Sequence, residues 1–247
     1  MMIVIEEKDV VLVSGGSRGI GRAIVAALVK DGRTVAFTWN SDEAQAHATE
    51  ALTDKKATAF HLDLRDRSRP AELVEEVENT IGPIFGLVNN AGIQRSGLTA
   101  MTTDDSWDEV IDVNLGGAFR LTREVVRSMV TRRRGAIVNI ASLSAVHGVP
   151  GHASYAASKA GLVAATRCLA REMGRRQIRA NVVMPGYVQT DMTNDLSEKV
   201  VTDLRSSEVL PGGTKAESVA EAVVFLLSDR ASAITGQTII VDAGTTA

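Results

Sequence analysis

Along the chain, short apolar runs alternate with longer segments in which apolar residues recur every three or four positions. The first run, Asp9-Val10-Val11-Leu12-Val13-Ser14, places four aliphatic residues before Gly15 and Gly16, the pattern of a strand buried on both faces that meets a tight turn. Ile20, Ile24, Ala27 and Leu28 then fall at helical spacing, and Asp31-Gly32 stops that helix before a second run, Thr34 to Trp39. The same alternation predicts helix 41–53, strand 57–61, helix 68–80 with Pro70 in its first turn, strand 85–89 and a long helix near 105–131. Strand 136–141, helix 153–174, strand 178–184, helix 216–228 and strand 237–241 complete the series. Parallel strands need crossovers, and these are right-handed, so the expected fold is α/β: a doubly wound sheet of seven parallel strands with helices on both faces. Nothing divides the chain into parts, so a single domain over 1–247 is expected. One stretch, 186–215, breaks the alternation after a strand's carboxyl end, and its length predicts a substrate lid.

Composition narrows the class. With 247 residues, 45% hydrophobic and 23% charged, the chain can bury a substantial core. A net charge of -3 is small and of the wrong sign for broad binding to nucleic acid or to an anionic membrane, so neither partner is expected. The single cysteine, Cys168, excludes an internal disulfide framework, and no closely spaced His or Cys cluster predicts a metal. The apolar run at the start is too short for a signal segment and no stretch reaches transmembrane length, so a cytoplasmic location is expected.

Chemistry enters at the first turn. Ser14-Gly15-Gly16-Ser17-Arg18-Gly19-Ile20-Gly21 lies between strand and helix, the context in which glycines serve a dinucleotide. Gly15 permits the sharp turn, Gly19 lets the backbone approach a pyrophosphate, Gly21 lets the helix pack on the sheet, and the helix start supplies amide donors. This predicts a Rossmann-type domain. At the end of the second strand, Thr38-Trp39-Asn40-Ser41 offers no carboxylate for a ribose 2′-hydroxyl, whereas Arg18, Asn40 and Ser41 can meet a 2′-phosphate. NADP(H) is therefore the expected cofactor. Asp42 is the rival feature, but it falls in a helix's first turn, where acids complement the dipole.

Tyr155 and Lys159 are four residues apart in a helical segment and share one face. A carbonyl that accepts hydride develops alkoxide charge, which needs a hydrogen-bond donor and then a proton. Tyr155 can give the proton, Lys159 can favour the phenolate left behind, and Ser142, closing the preceding strand, can hold the carbonyl oxygen. Asn114 can position a water that links Lys159 to solvent. His147 and His152 are read as loop or pocket-wall residues.

With its GxxxGxG turn, Asn89-Asn90-Ala91-Gly92 and the series Asn114, Ser142, Tyr155, Lys159, the chain resembles the short-chain dehydrogenase/reductase family, in which Thr is usual where Ser14 stands. The resemblance implies four catalytic positions: Asn114, Ser142, Tyr155 and Lys159. It implies cofactor contacts at Gly15, Ser17, Arg18, Gly19, Ile20, Gly21, Asn40 and Ser41, then at Asp63, Leu64, Asn90, Ala91 and Gly92, and again at Tyr155, Lys159, Pro185, Gly186, Val188 and Thr190. Substrate contacts are expected at Ser142, Gln94 and Tyr187. The similarity extends throughout to bacterial 3-oxoacyl-[acyl-carrier-protein] reductases. It implies NADPH-dependent reduction of a 3-oxoacyl thioester, a homotetramer, and docking of an acidic acyl-carrier protein on Arg133 and Arg176. Reduction of an acyl-CoA, a polyketide intermediate, a sugar or a steroid remains the alternative, and a noncatalytic NADP-binding sensor a more distant one.

Overall fold

The computed structural model describes residues 9–190 and 198–247. Strands β1 (Val10–Val13), β2 (Thr34–Trp39), β3 (Ala57–His61), β4 (Ile84–Asn89), β5 (Gly135–Ile140), β6 (Ile178–Pro185) and β7 (Thr238–Val241) form one sheet in the order β3-β2-β1-β4-β5-β6-β7. Every neighbouring pair is parallel. The expected sheet of seven parallel strands is therefore present.

Period two along β1 explains its unbroken apolar run. Val11 and Val13 belong to one core with α1 (Gly19–Lys30), α2 (Glu43–Leu52) and α8 (Ala216–Leu227). Val10 and Leu12 belong to the other, with α3 (Arg69–Thr80), α5 (Ala118–Arg132) and α6 (Ala153–Met173). With helices on both faces a strand has no solvent side, so alternation of apolar and polar residues disappears. Strand order reverses beside β1, between β1 and β4, which opens a crevice at their carboxyl ends.

Two expectations are corrected. The helix near 105–131 is not one α-helix: α4 (Asp104–Ile111) runs into a π turn over Asp112–Gly117 before α5 begins. Val113, Asn114 and Gly117 are buried there, and Gly117 lies so close to Leu64 that a Cβ would stand 2.8 Å from the leucine Cβ. The stretch 186–215 is not wholly irregular either, because Glu198–Ser206 forms a helix, α7. Of the lid expected over 186–215, residues 191–197 lie outside the described residues.

Candidate active site

Ser142, Tyr155 and Lys159 come from elements that end or begin at the carboxyl edge of the sheet. Ser142 follows β5, and its hydroxyl accepts from the Ser144 amide at 3.2 Å as the chain turns into a short 3₁₀ segment. Tyr155 and Lys159 stand in the first two turns of α6, on one face as the spacing predicts. Lys159 is only 3% exposed, its Nζ donates to the Ile140 carbonyl at 2.8 Å, and it stands 5.7 Å from the centroid of the Tyr155 ring. Burial lowers the Lys159 ammonium to about 8. Burial raises the Tyr155 phenol above its ordinary value, with the hydrogen-bonded Ser142 hydroxyl pulling the other way. The phenol is thus kept as an acid, beside a cation that can still shed its proton near neutrality.

Asn114 reaches this group from the π turn. Its carboxamide donates to the Ile93 carbonyl at 2.9 Å, accepts from the Ile93 amide at 2.7 Å and donates to Ser158 Oγ at 3.2 Å. Ser158 Oγ in turn donates to the Tyr155 carbonyl at 2.7 Å. These contacts tie the loop after β4 to the catalytic turn of α6. The space is tight: a Cβ on Gly92 would stand 3.0 Å from Asn114 Oδ1 and 3.6 Å from Lys159 Nζ.

The glycine turn has the geometry of an anion cradle. Gly15 and Gly19 adopt positive φ, 68° and 53°, and a Cβ on Gly21 would collide with the Gly15 carbonyl oxygen. The start of α1 has neither a side-chain cap nor an acidic residue in its first turn, so its amide donors and dipole remain available to an anion. Thr190 closes the far side, its Cγ2 3.3 Å from the position a Cβ would take on Gly19. These features fit a dinucleotide pyrophosphate. Gly16 matters for another reason: Phe37 Cβ would lie 2.6 Å from any Cβ placed there.

Ser14 has more to do than the sequence suggests. Its hydroxyl accepts from the amides of Asn90 and Ala91, both at 3.1 Å, while Asn90 Nδ2 donates to the carbonyls of Ser14 and Gly15 at 3.1 and 3.0 Å. The two cofactor loops are thereby fastened together across the crevice. A signal was present in the sequence, since a hydroxyl residue immediately precedes the glycines. Its partner lies 76 positions away.

At the tip of β2, Gly16 and Gly15 donate to the Thr38 carbonyl and hydroxyl at 2.9 and 3.2 Å, which seats the glycine turn beside Asn40 and Ser41. Arg18, Asn40 and Ser41 are exposed. Asp42 caps α2, its carboxylate accepting from the Gln45 amide at 3.0 Å, so the rival acid serves the helix start. Asp63 is paired with Arg65 at 2.7 Å, and that guanidinium holds its carboxyl below the ordinary value. Leu64 is buried against Gly117.

A family model described as enoyl-(acyl carrier protein) reductase matches residues 15–246. The chain is 40% identical over 241 residues to a 3-oxoacyl-[acyl-carrier-protein] reductase of Thermotoga maritima, covering 96% of this chain and 98% of the relative. The enzymes of the same name from Salmonella typhimurium and Escherichia coli are 39% and 38% identical over 240 residues, each covering 96% of this chain and 97% of the relative. The chain belongs to the short-chain dehydrogenase/reductase family.

Within this short-chain reductase frame, the expected substrate residues occupy two walls. Gln94 Nε2 lies 2.8 Å from His152 Nε2, and the Gly97 amide donates to the Gly151 carbonyl at 3.0 Å, so the loops after β4 and β5 join beside Tyr155. Tyr187, after β6, faces the Arg205 guanidinium of α7 at 5.8 Å, and Arg205 also donates to Gln189 Oε1 at 3.1 Å. The buried Pro185 ends β6, and a Cβ on the following Gly186 would stand 2.8 Å from Asp242 Cα. Val188 is buried in the core beneath.

Arg133 and Arg176 do not join this group. Arg133 follows α5 and donates to the Arg175 carbonyl at 2.9 Å, which brings the two basic segments together. They stand at the amino-terminal edge of the sheet, where β5 and β6 begin. Tyr155 and Arg176 are separated by the length of α6, about 30 Å at 1.5 Å per residue.

Proposed function

We propose that this short-chain reductase carries out the NADPH-dependent reduction of a 3-oxoacyl thioester, carrier-bound in the cell, to the 3-hydroxyacyl form in fatty-acid or related biosynthesis. One observation carries the reading: Ser142, Tyr155 and Lys159 come together, and Lys159 lies against Gly92 in the loop that Asn90 fastens to the glycine turn. Ser142 holds the ketone oxygen, Tyr155 donates its proton to that oxygen as charge develops, and the Lys159 cation stabilises the phenolate. A nicotinamide dinucleotide, when bound, supplies the hydride. Gly15, Ser17, Gly19, Ile20 and Gly21 would hold its pyrophosphate, and Arg18, Asn40 and Ser41 a 2′-phosphate. Asp63 and Leu64 would border its adenine, Asn90, Ala91 and Gly92 would lie along the cofactor, and Pro185, Gly186, Val188 and Thr190 would border its nicotinamide, with Tyr155 and Lys159 at the nicotinamide ribose.

Asn114 acts in this scheme through Ile93 and Ser158, keeping Lys159 and Tyr155 in register. The two hydroxyls around one oxygen suit a ketone better than the carbon–carbon double bond named in the family model's description. NADPH oxidation with acetoacetyl-carrier protein, acetoacetyl-CoA and crotonyl-CoA tests the reading. Turnover of the two ketones is the expected result, and turnover of crotonyl-CoA alone overturns it.

The single unit over 1–247 works as a homotetramer in the cytoplasm. Trp107 and Phe119 on the α4–α5 face are 39% and 57% exposed, and Ile240 on the edge strand β7 is 46% exposed, which supports self-association through those two faces. If the carrier protein docks on Arg133 and Arg176, its thioester starts from the edge opposite Tyr155. In a homotetramer such a thioester would be delivered to the site of a neighbouring copy. No helix among the described residues is long and apolar enough to cross a membrane.

A further inference from the structure

Arg120, in the first turn of α5, reaches back to the loop after β3. Its guanidinium pairs with the Asp112 carboxylate as a fork, Nη1 to Oδ1 at 2.8 Å and Nη2 to Oδ2 at 3.2 Å, and Nη2 also donates to the main-chain carbonyls of Leu64 at 2.6 Å and Asp112 at 3.3 Å. The side chain is only 12% exposed. Two adjacent glycines make room for these contacts: a Cβ on Gly116 would stand 3.0 Å from both Arg120 Nη1 and Asp112 Oδ1, and one on Gly117 would meet Leu64. Glycine is disfavoured inside a helix, so Gly116-Gly117 points to a contact that needs the space. Stability alone does not account for the guanidinium, since among the described residues Arg120 Nε is buried with no hydrogen-bond partner, and leaving a buried donor unsatisfied is costly.

What this clamp holds is the π turn. Asp112 is its first residue, and Asn114, two positions on, is buried and meets Ile93 through both ends of its carboxamide. A π turn is rare and persists where neighbouring contacts fix it. No hydrogen bond among the described residues joins Arg120 to Tyr155, Ser158 or Lys159, so its path to the catalytic group runs through the turn. We propose that Arg120 is a positioning residue: it fixes the π turn against the loop after β3, thereby holds Asn114 on Ile93, and supports ketone reduction through Asn114 alone. The assignment rests on the placing of Asn114 in the catalytic group above.

The test is a double-mutant cycle on kcat for acetoacetyl-CoA at saturating NADPH, with Arg120→Met, Asn114→Ala and the two together. Arg120→Met is expected to lower kcat about tenfold, and the double variant should match Asn114→Ala within about twofold, because both changes remove the same contact. Losses that multiply, a loss in Arg120→Met larger than in Asn114→Ala, or a methionine variant with wild-type kcat each overturn the proposal. Hydrogen exchange supplies a readout that needs no turnover. The Ile93 amide, which donates to Asn114 Oδ1, should exchange about tenfold faster in Arg120→Met while the amides of β1 keep their protection. Equal exchange at Ile93 in the two proteins likewise overturns it. Asp112→Asn keeps the size of its side chain and removes only the charge from the fork; with a smaller expected effect of about threefold, it carries both measurements should the methionine variant fail to fold. If the wild-type protein reduces no ketone, the reductase reading falls, and exchange at Ile93 still decides the role of Arg120.

Discussion

Lys159 Nζ donates to the main-chain carbonyl of Ile140 at 2.8 Å, and so ties the catalytic turn of α6 to the strand that delivers Ser142. The tether holds an ammonium in a buried site where burial brings it to about 8 from an ordinary 10.5. Between these values the unfolded chain keeps a proton that the folded chain has lost. The destabilising effect of the buried charge is therefore full below pH 8 and is relieved as pH rises through that window. Urea midpoints of the cofactor-free protein should carry this rising contribution from pH 8 to 10.5, and Lys159→Met should remove it. In catalysis the sign is opposite: kcat/KM for ketone reduction should fall above pH about 8, as the cation that stabilises the phenolate is lost.

Tyr155→Phe should lower turnover by at least about a hundredfold while NADPH affinity, followed by fluorescence titration, stays within a few-fold of wild type. The phenol is the group that gives up the proton, and removing it takes away little cofactor contact. A phenylalanine variant that kept most of its rate would dismiss Tyr155 as the acid.

Arg18→Ala should weaken NADPH binding by about tenfold or more and NADH binding much less, because only the former has a 2′-phosphate to pair with the guanidinium. Equal losses in parallel titrations would place Arg18 away from that phosphate. The exposed position of Arg18 beside the N-terminus of α1 suits the first outcome.

Charge reversal of both Arg133 and Arg176 should raise KM for carrier-bound substrate several-fold at low salt and leave free thioesters nearly unchanged, since each exposed ion pair is worth only about 0–1 kcal/mol. The opposite-edge placement adds a sharper expectation. Oligomers assembled from the docking-deficient chain and a Tyr155→Phe chain should regain carrier-dependent turnover if the docking surface of one chain serves the site of the other. Light scattering should give a tetramer for both. Mixed assemblies no better than the average of their parents would rule out delivery between copies.

The strands were legible because a sheet covered on both faces demands aliphatic runs, and Val10 to Val13 or Ala136 to Val138 admit few other readings. Ser142, Tyr155 and Lys159 were legible through their order and the i, i+4 spacing. The π turn was not, since one additional residue in a helix leaves the apolar period nearly unchanged on either side. Helix α7 was hidden among Asn194, Pro211, Gly212 and Gly213, which mark the surrounding stretch as irregular. The Gln94–His152 pair and the Ser14 clasp join residues 58 and 76 positions apart, and no local pattern signals a contact of that kind.

The π turn at Asp112–Gly117 also takes up an extra residue without turning the helices it joins. An α-helix advances by about 100° per residue and the wider π turn by roughly 80°, so six residues in the turn rotate the chain about as far as five in an α-helix. Deleting a single residue there would let the segment relax to α geometry with α4 and α5 still nearly in phase. The half-exposed Trp107 and Phe119 would go on facing as they do, while Asn114 would lose the wide turn that carries it to Ile93. One missing codon would thus yield a folded protein with an intact outer surface and an unfastened catalytic loop.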